Sequence, residues 1–267
     1  MSARVLVIAG SDSGGGAGIQ ADIKTVTALG GYAMTAITAL TAQNTCGVQA
    51  VSGVEPAFIR EQITSVLSDI GADVIKTGML HDSEVVDVVV NTIDELAAHI
   101  PVIVDPVMVS QSGHQLVGEA AMQRLASELI PRATLITPNT PEAEALLSVS
   151  IRNADDMVNA AEALLQLGCQ AVLLKGGHLG GDPVIDVLAS DRGVVTLSQP
   201  RVQTTCDHGT GCTLASAIAE GMGRGLPLGD AVNRGRAYLH RALATAQPLG
   251  QGHGPVNHGH TVGIMSS

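Results

Sequence analysis

The sequence predicts an α/β fold in which a mostly parallel sheet lies between two layers of helices. Short apolar runs rich in β-branched residues alternate with longer segments of helical periodicity, a pattern typical of β-α-β units. Several runs are apolar throughout, so both faces of their strands should be covered. We therefore expect a three-layer α/β/α sandwich. A single domain should occupy residues 1–267, with a Gly- and His-rich C-terminal tail from about residue 250.

Eight apolar segments are predicted to form strands and seven amphipathic segments to form helices. The strands, in order, are residues 5–9, 34–40, 74–77, 102–104, 135–137, 171–174 and a hairpin of 184–189 with 194–197. The helices are residues 19–29, 57–69, 83–98, 118–129, 154–167, about 213–222 and 228–246. Because ligands of doubly wound sheets bind outside the carboxyl ends of the strands, residues that follow each strand are the candidate site.

Composition excludes several classes of partner. The formal net charge is −11 and the 14 Lys and Arg residues are scattered, which argues against nucleic acid. No apolar run is long enough for a membrane helix or a signal peptide, so we expect a cytoplasmic protein with no membrane partner. The four cysteines form no C-x-x-C pair and should be free thiols. A small-molecule substrate fits this composition best.

The stretch HGTGCTLASAI, residues 208–218, predicts an anion site at the start of a helix. The first N–H groups of a helix lack intrahelical acceptors, and glycines ahead of them allow an anion to approach. Gly209, Thr210, Gly211 and Cys212 would surround that anion, with the cysteine as a reactive side chain. The alternative is an ordinary helix start that buries a small residue.

The stretch GSDSGGGAGIQAD, residues 10–22, does not match a known nucleotide fingerprint. A Walker A loop needs Lys and then Ser or Thr after its last glycine, and Ile19 and Gln20 stand there. Ile19 also occupies the last glycine position of G-x-G-x-x-G, which weighs against a Rossmann oxidoreductase. Asp22 either reaches a substrate hydroxyl or stabilises the start of its helix.

Seven motifs in order give the chain a family resemblance: AGSDSGGGAGIQAD, ITALTAQNT, KTGML, DPVM, TPNTPEAE, LLKGGH and HGTGCT. Together they resemble the hydroxymethylpyrimidine and phosphomethylpyrimidine kinases of thiamine biosynthesis, which have the ribokinase-like fold. The resemblance implies ATP- and Mg²⁺-dependent phosphorylation of 4-amino-5-hydroxymethyl-2-methylpyrimidine and then of its monophosphate. It also implies a homodimer, and the apolar segment VQAVSGV, residues 48–54, is a candidate for strand pairing between subunits.

The resemblance assigns the catalytic role to the helix start. The backbone N–H groups of residues 209–212 correspond to the family's anion hole. Cys212 takes the place of the base, where most sugar kinases of the superfamily have Asp. A helix N-terminus can lower a cysteine pKa from about 8.5 toward neutrality, which would suit a base. Cys212 either removes the proton of the attacking hydroxyl or only positions that hydroxyl.

Polar residues at three further strand ends suit a nucleotide and a metal ion. Asp105 and Glu142 are candidate Mg²⁺ ligands, and Asn139 belongs with Glu142 to the family's N-x-x-E motif. Alternatively, Asn139 caps a helix in which Glu142 is an early carboxylate. Lys175 closes an apolar strand and is expected to bind ATP phosphates, with a surface ion pair as the alternative.

Gln43 is the expected specificity residue. Its amide can donate to and accept from the adjacent nitrogens of an aminopyrimidine, and in similar enzymes that favour vitamin B6 the matching residue is often Met. Gly10, Met79 and Val107 would form apolar walls and backbone contacts around the ring.

Two alternative functions remain open. Neither of them assigns a role to the C-terminal tail. A vitamin B6 kinase would share the phosphate machinery, and a metabolite sensor would keep the fold without turnover. His253, His258 and His260 are expected to lie on a mobile tail rather than to bind a metal.

Overall fold

The computed structural model of the chain describes residues 2–108 and 117–263. The strands are Arg4–Asp12 (β1), Tyr32–Asn44 (β2), Gly47–Gly53 (β3), Val74–Thr77 (β4), Val102–Val104 (β5), Leu135–Ile136 (β6), Ala171–Leu174 (β7), Val184–Ser190 (β8) and Gly193–Gln199 (β9). The α-helices are Gly18–Ala28 (α1), Pro56–Asp69 (α2), Ser83–Leu96 (α3), Glu119–Arg124 (α4), Thr140–Leu147 (α5), Ala154–Leu165 (α6), Thr210–Gly223 (α7) and Leu228–Ala244 (α8).

The described strands form one sheet in the order β3-β2-β1-β4-β5-β6-β7-β8-β9. Six central strands pair in parallel with one another, in the order β2, β1, β4, β5, β6 and β7. The outer strands β3, β8 and β9 pair antiparallel to their neighbours. The expectation of a mostly parallel sheet is confirmed, and all six central strands place their carboxyl ends at the same edge.

Strand β1 shows why the sheet is covered on both faces. Leu6 and Ile8 belong to one apolar cluster and Val5 and Val7 to another, and all four side chains are fully buried. Successive strand residues point to opposite faces, so a continuous apolar run supplies both clusters. Burial of each such side chain stabilises the fold by about 1.5–3 kcal/mol. Helices α2, α3 and α6 contribute to the first cluster, and α1, α7 and α8 to the second.

Three elements differ from the sequence expectation. Residues 47–53 form strand β3, which was not among the eight expected strands and pairs with β2 at one end of the sheet. The helix expected at 118–129 is α-helical only to Arg124 and continues as a π-helical turn, Leu125–Leu129, before a 3-10 turn that contains Pro131. Helix α5 was not among the seven expected helices, and the sequence offered it only as the alternative in which Asn139 caps a helix.

No helix among residues 2–108 and 117–263 combines the length and apolarity needed to span a bilayer.

Candidate active site

A cavity of about 450 Å³ lies where the carboxyl ends of β1, β2, β4, β5 and β7 meet the start of α7. It brings together twelve of the thirteen expected site residues. They are Gly10, Gln43, Met79, Asp105, Val107, Asn139, Glu142, Lys175, Gly209, Thr210, Gly211 and Cys212. The remaining residue, Asp22, does not line it and is fully buried.

The start of α7 is open to an anion. Gly209, the residue before the helix, has φ 82° and offers no side chain to cap the first turn. Gly211 and Cys212 in that turn line the cavity, and their N–H groups lie at the positive end of the helix dipole. A Cβ at Gly209 would lie 1.8 Å from the carbonyl oxygen of Gly16, so this turn requires glycine. The helix start and the Gly-rich loop are therefore packed backbone to backbone.

Asp12 fixes the Gly-rich loop, a role that the sequence reasoning missed. Its buried carboxylate accepts hydrogen bonds from the backbone N–H groups of Gly14, Gly16 and Ala17 at 2.8–3.0 Å. Its Oδ2 also lies 2.9 Å from Nε2 of His208, next to the anion site. Burial acts to raise the Asp12 pKa, but His208 and the backbone donors outweigh it and hold the pKa below its usual range. Its position, three residues after the apolar run 5–9 and at the start of the Gly-rich stretch, was the available signal.

Two carboxylates and one lysine form the charged wall of the cavity. Asp105 Oδ1 accepts from Lys175 Nζ at 3.1 Å and from the Thr137 hydroxyl at 2.9 Å. The other oxygen, Oδ2, is buried and has no hydrogen-bond partner in the described residues. Burial, reinforced by the Asp105 charge, raises the pKa of Glu142 to about 7, although Lys175 opposes this shift. A second cation would relieve both the unpartnered oxygen and the repulsion between the carboxylates.

Asn139 and Glu142 form the helix cap that the sequence left open as one alternative, and both also line the cavity. The Asn139 side chain accepts from the Glu142 N–H, and the Glu142 side chain accepts from the Asn139 N–H, each at 2.8 Å. This reciprocal pair is a capping box at the start of α5. Because both residues also line the cavity, the cap fixes the Glu142 carboxylate against the charged wall.

The Cys212 thiol is less acidic than expected. Burial raises its pKa to about 12, and Asp22 and Asp105 act in the same direction, while Lys76 lowers it. This corrects the expectation that the helix N-terminus would bring the Cys212 pKa toward neutrality. The cost of removing the thiolate from water exceeds the stabilisation that the Lys76 ammonium provides. Cys212 therefore lines the cavity as a neutral thiol at neutral pH.

Behind the cavity, Asp22 forms an ion pair that the sequence reasoning missed. Lys76 Nζ lies 3.0 and 3.1 Å from the two carboxylate oxygens of Asp22, and Ser216 donates to Oδ1 at 2.6 Å. All three side chains are fully buried. The expectation that Asp22 reaches a substrate hydroxyl is thus corrected, because the carboxylate is enclosed by these partners. A lysine within the apolar strand VIKT was the signal that could have revealed the pair.

Three of the ring-binding candidates, Gln43, Met79 and Gly10, line the cavity in or next to β2, β4 and β1. Gln43 Oε1 accepts from the Thr41 hydroxyl at 3.1 Å, and its Nε2 lies 3.4 Å from His208 Nε2. Met79 is held by its carbonyl, which accepts from the Thr38 hydroxyl at 2.7 Å. A Cβ at Gly10 would lie 2.4 Å from the Met79 methyl group, so the small residue leaves room for that side chain.

The C-terminal segment is packed rather than mobile, which corrects the sequence expectation. His258 is 6% exposed, and its Nε2 lies 3.0 Å from the Thr213 hydroxyl of α7. The backbone N–H of His208 donates to the carbonyl oxygen of Gly254. His253 Nδ1 lies 2.7 Å from Oδ1 of Asp207. The described residues contain no cluster of three His, Cys, Asp or Glu side chains that could hold a metal. The segment instead supports the turn before the anion site.

Comparison with known proteins assigns the chain to a family. The model of the family "Phosphomethylpyrimidine kinase" matches residues 12–257. A curated hydroxymethylpyrimidine/phosphomethylpyrimidine kinase of Salmonella typhimurium is 46% identical over 96% of this chain and 97% of its own length. The thiamine biosynthesis bifunctional protein ThiED of Geobacter sulfurreducens is 49% identical over 95% of this chain, which spans only 52% of that protein.

Solved structures agree with the family model. The ADP complex of Bacillus subtilis pyridoxal kinase is 34% identical, with a TM-score of 0.89 over 97% of this chain and 98% of its own. Vitamin kinases of ribokinase-like fold therefore share this architecture. Together with the family model and the relatives above, this similarity shows that the chain belongs to the phosphomethylpyrimidine kinase family.

Proposed function

We propose that this protein transfers the γ-phosphoryl group of ATP to the hydroxymethyl group of 4-amino-5-hydroxymethyl-2-methylpyrimidine, and then to the resulting monophosphate. The observation that carries the proposal is the convergence in one cavity of the uncapped start of α7, the charged wall and Gln43. The curated names of the full-length relatives support the same pair of reactions.

The charged wall is suited to a nucleotide with Mg²⁺. Lys175 and the N–H groups at the start of α7 supply positive charge for phosphate oxygens. Asp105, with its unpartnered buried oxygen, and Glu142 fit a Mg²⁺ ion that keeps most of its water. When bound, the ion would neutralise charge on the phosphate oxygens. The solved complex of a pyridoxal kinase with ADP supports ATP as the phosphoryl donor.

In the first reaction, the substrate hydroxyl oxygen bonds to the γ-phosphorus. The bond from that phosphorus to the β,γ-bridging oxygen breaks, and ADP leaves with the electron pair. Because the transition state is loose, the hydroxyl proton departs late and passes to an oxygen of the transferred group, so no strong base is needed. Cys212, as a neutral thiol, orients the hydroxyl. In the second reaction the attacking phosphate oxygen carries no proton.

The test is ATP consumption by the purified protein with Mg²⁺, at matched concentrations of hydroxymethylpyrimidine, its monophosphate and pyridoxal. Turnover on both pyrimidines, with pyridoxal much slower, is the expected result. Because a hydroxyl that is no longer oriented attacks more slowly, the Cys212→Ala variant should turn over at least about a hundredfold more slowly with little change in ATP affinity. Absence of turnover on every substrate would contradict the proposal and favour a metabolite sensor.

A vitamin B6 kinase is the second candidate. The similarity to pyridoxal kinase, with a TM-score of 0.89, is the observation that favours it. Such an enzyme would use the same phosphate machinery and differ at the ring. Preference for pyridoxal in the assay would select this candidate and refute our interpretation of Gln43.

We further propose that the protein acts as a homodimer in the cytoplasm, where ATP is abundant. Strand β3 lies at an end of the sheet order, so one of its edges faces away from β2. An edge strand of this kind can pair with a second copy. Light scattering coupled to size-exclusion chromatography tests the dimer, and a mass of one chain at micromolar concentration would contradict it.

A further inference from the structure

Gln43 contacts the ring in the proposed reaction, but a glutamine amide by itself does not distinguish a 4-aminopyrimidine from a 4-oxopyrimidine. The first ring presents a nitrogen that accepts and an amino group that donates. The second presents a ring N–H that donates and a carbonyl that accepts. An amide that makes half a turn exchanges its oxygen and its NH2 group, and both orientations are accessible unless neighbours fix one of them. Selectivity for an aminopyrimidine therefore requires a fixed amide.

The backbone of Gln43 is already held in place, so only its amide needs fixing. The Ser13 hydroxyl accepts from the Gln43 N–H at 2.9 Å and donates to the Gln43 carbonyl at 2.9 Å. On one side of the amide, Oε1 faces the Thr41 hydroxyl at 3.1 Å. On the other side, Nε2 faces Nε2 of His208 at 3.4 Å. Thr41 and His208 are therefore the neighbours that can select one orientation of the amide.

The Nε2 atom of His208 can only donate to Gln43. It lies 2.9 Å from Oδ2 of Asp12. Although burial acts to raise the pKa of Asp12, hydrogen bonds from His208 and the backbone hold this pKa below its usual range. At neutral pH the carboxylate therefore accepts hydrogen bonds and donates none, so Nε2 of His208 carries a proton in either charge state of the imidazole. Two N–H groups consequently face each other between His208 and Gln43.

Thr41 can supply the complementary contact on the other side. Its hydroxyl has one proton and two neighbouring acceptors, the Ser11 carbonyl oxygen at 3.0 Å and Oε1 of Gln43 at 3.1 Å. When this proton goes to Ser11, the Thr41 oxygen keeps lone pairs for an N–H donor. Half a turn of the Gln43 amide then satisfies both sides. Nε2 donates to Thr41, and Oε1 accepts from the His208 proton that Asp12 also binds.

We propose that His208 is a positioning residue that fixes the Gln43 amide with Oε1 toward His208 and Nε2 toward Thr41, and that this fixed amide selects 4-amino- over 4-oxopyrimidines. Oε1 accepts from the 4-amino group, and Nε2 donates to the adjacent ring nitrogen. A 4-oxopyrimidine would place two acceptors together and two donors together, which is costly in a site removed from water. The selection of the ring rests on the proposed function, whereas the orientation of the amide does not.

The orientation of the amide is measured by NMR in the protein without ligand. The side-chain amide signal of Gln43 is identified by its loss in Gln43→Met. Nuclear Overhauser contacts from its NH2 protons should be stronger to the Thr41 methyl group than to the ring protons of His208. Contacts to the His208 ring that are equal or stronger would show a reversed or unfixed amide and would overturn the proposal.

The selectivity is measured by titration calorimetry without ATP, with hydroxymethylpyrimidine and with its 4-oxo analogue, which keeps the 2-methyl and 5-hydroxymethyl groups. The wild type should bind the amino compound at least about a hundredfold more tightly. His208→Phe keeps a ring but has no donor, and this ratio should fall about tenfold or more. His208→Gln restores an N–H donor on a side chain of similar reach and should recover part of the ratio. Equal binding of both rings by the wild type, or a wild-type ratio in His208→Phe, refutes the proposal.

His258→Phe is the matched control. His258 is also a buried histidine beside α7, where its Nε2 lies 3.0 Å from the Thr213 hydroxyl, and it is not among the residues that line the cavity. This variant should lose thermal stability and keep the wild-type selectivity ratio. An equal loss of selectivity in His258→Phe and His208→Phe would assign the effect to general destabilisation and contradict the proposal. If the wild type binds neither pyrimidine, the proposed function fails, and the NMR contacts alone decide whether His208 fixes the amide.

Discussion

The pH dependence of turnover discriminates between the two roles of Cys212. With a pKa of about 12, the Cys212 thiol is ionised in about one molecule in 10⁵ at pH 7. If the thiolate were the active form, kcat would rise tenfold with each pH unit, or about a thousandfold from pH 7 to pH 10. If the neutral thiol orients the hydroxyl, kcat should change by less than about threefold between pH 8 and pH 9.5.

The assay is ADP release at saturating Mg²⁺-ATP and hydroxymethylpyrimidine, measured as kcat in steps of half a pH unit. The Cys212→Ser variant is the control, because its hydroxyl can orient the substrate but does not titrate in this range. It should be slower than the wild type at every pH and give a profile of the same shape. A unit slope in the wild type that disappears in Cys212→Ser would refute the neutral-thiol mechanism.

Three further substitutions test other parts of the site. Gly209→Ala should lower the melting temperature and abolish measurable turnover, because φ is 82° there and the new Cβ would collide with Gly16. Differential scanning fluorimetry and the kinase assay check this prediction. A near-normal melting temperature and turnover would contradict the packing argument. Gln43→Met should raise KM for the aminopyrimidine by about tenfold or more and leave that for pyridoxal nearly unchanged, since an unpaired polar edge is costly; equal effects would show that Gln43 does not recognise the ring. Glu142→Gln should raise the Mg²⁺ concentration for half-maximal activity by about tenfold or more, and an unchanged Mg²⁺ titration would remove Glu142 from the metal site.

Much of the sheet could be predicted because its strands are apolar throughout. The bounds of β4, β5 and β7 agree with the expected segments. Strands β1 and β2 extend further than expected, since polar residues such as Ser11 and Thr41 continue the pairing beyond an irregularity in register. Apolar pattern alone cannot reveal pairing by residues of that kind.

Part of the candidate site could be predicted from where its residues stand relative to the strands along the chain. Residues after each strand meet at one edge, which is why Asp105, Lys175 and Gln43 line the same cavity. The electrostatics were not predictable in this way. Lys76 and Asp22 are 54 residues apart, and the high pKa of Cys212 depends on burial by several elements. The packing of the tail against His208 likewise depends on tertiary contacts.

Under the proposed mechanism, a neutral thiol would also account for a cysteine at the position where the resemblance implies aspartate in most sugar kinases of the superfamily. The second acceptor is a phosphate monoester, and a carboxylate beside it would repel its charge by about 4 kcal/mol per pair of unit charges at 4 Å and an effective dielectric constant of 20. A thiol with a pKa of about 12 carries no such charge. Cys212→Asp should therefore retain part of the first phosphorylation and lose at least about a hundredfold more of the second. The measurement is the ratio of kcat/KM for the two pyrimidine substrates in the variant and the wild type, with Cys212→Asn as the uncharged control of the same size. Equal losses for both substrates in Cys212→Asp would show that the charge of residue 212 does not select between the two acceptors.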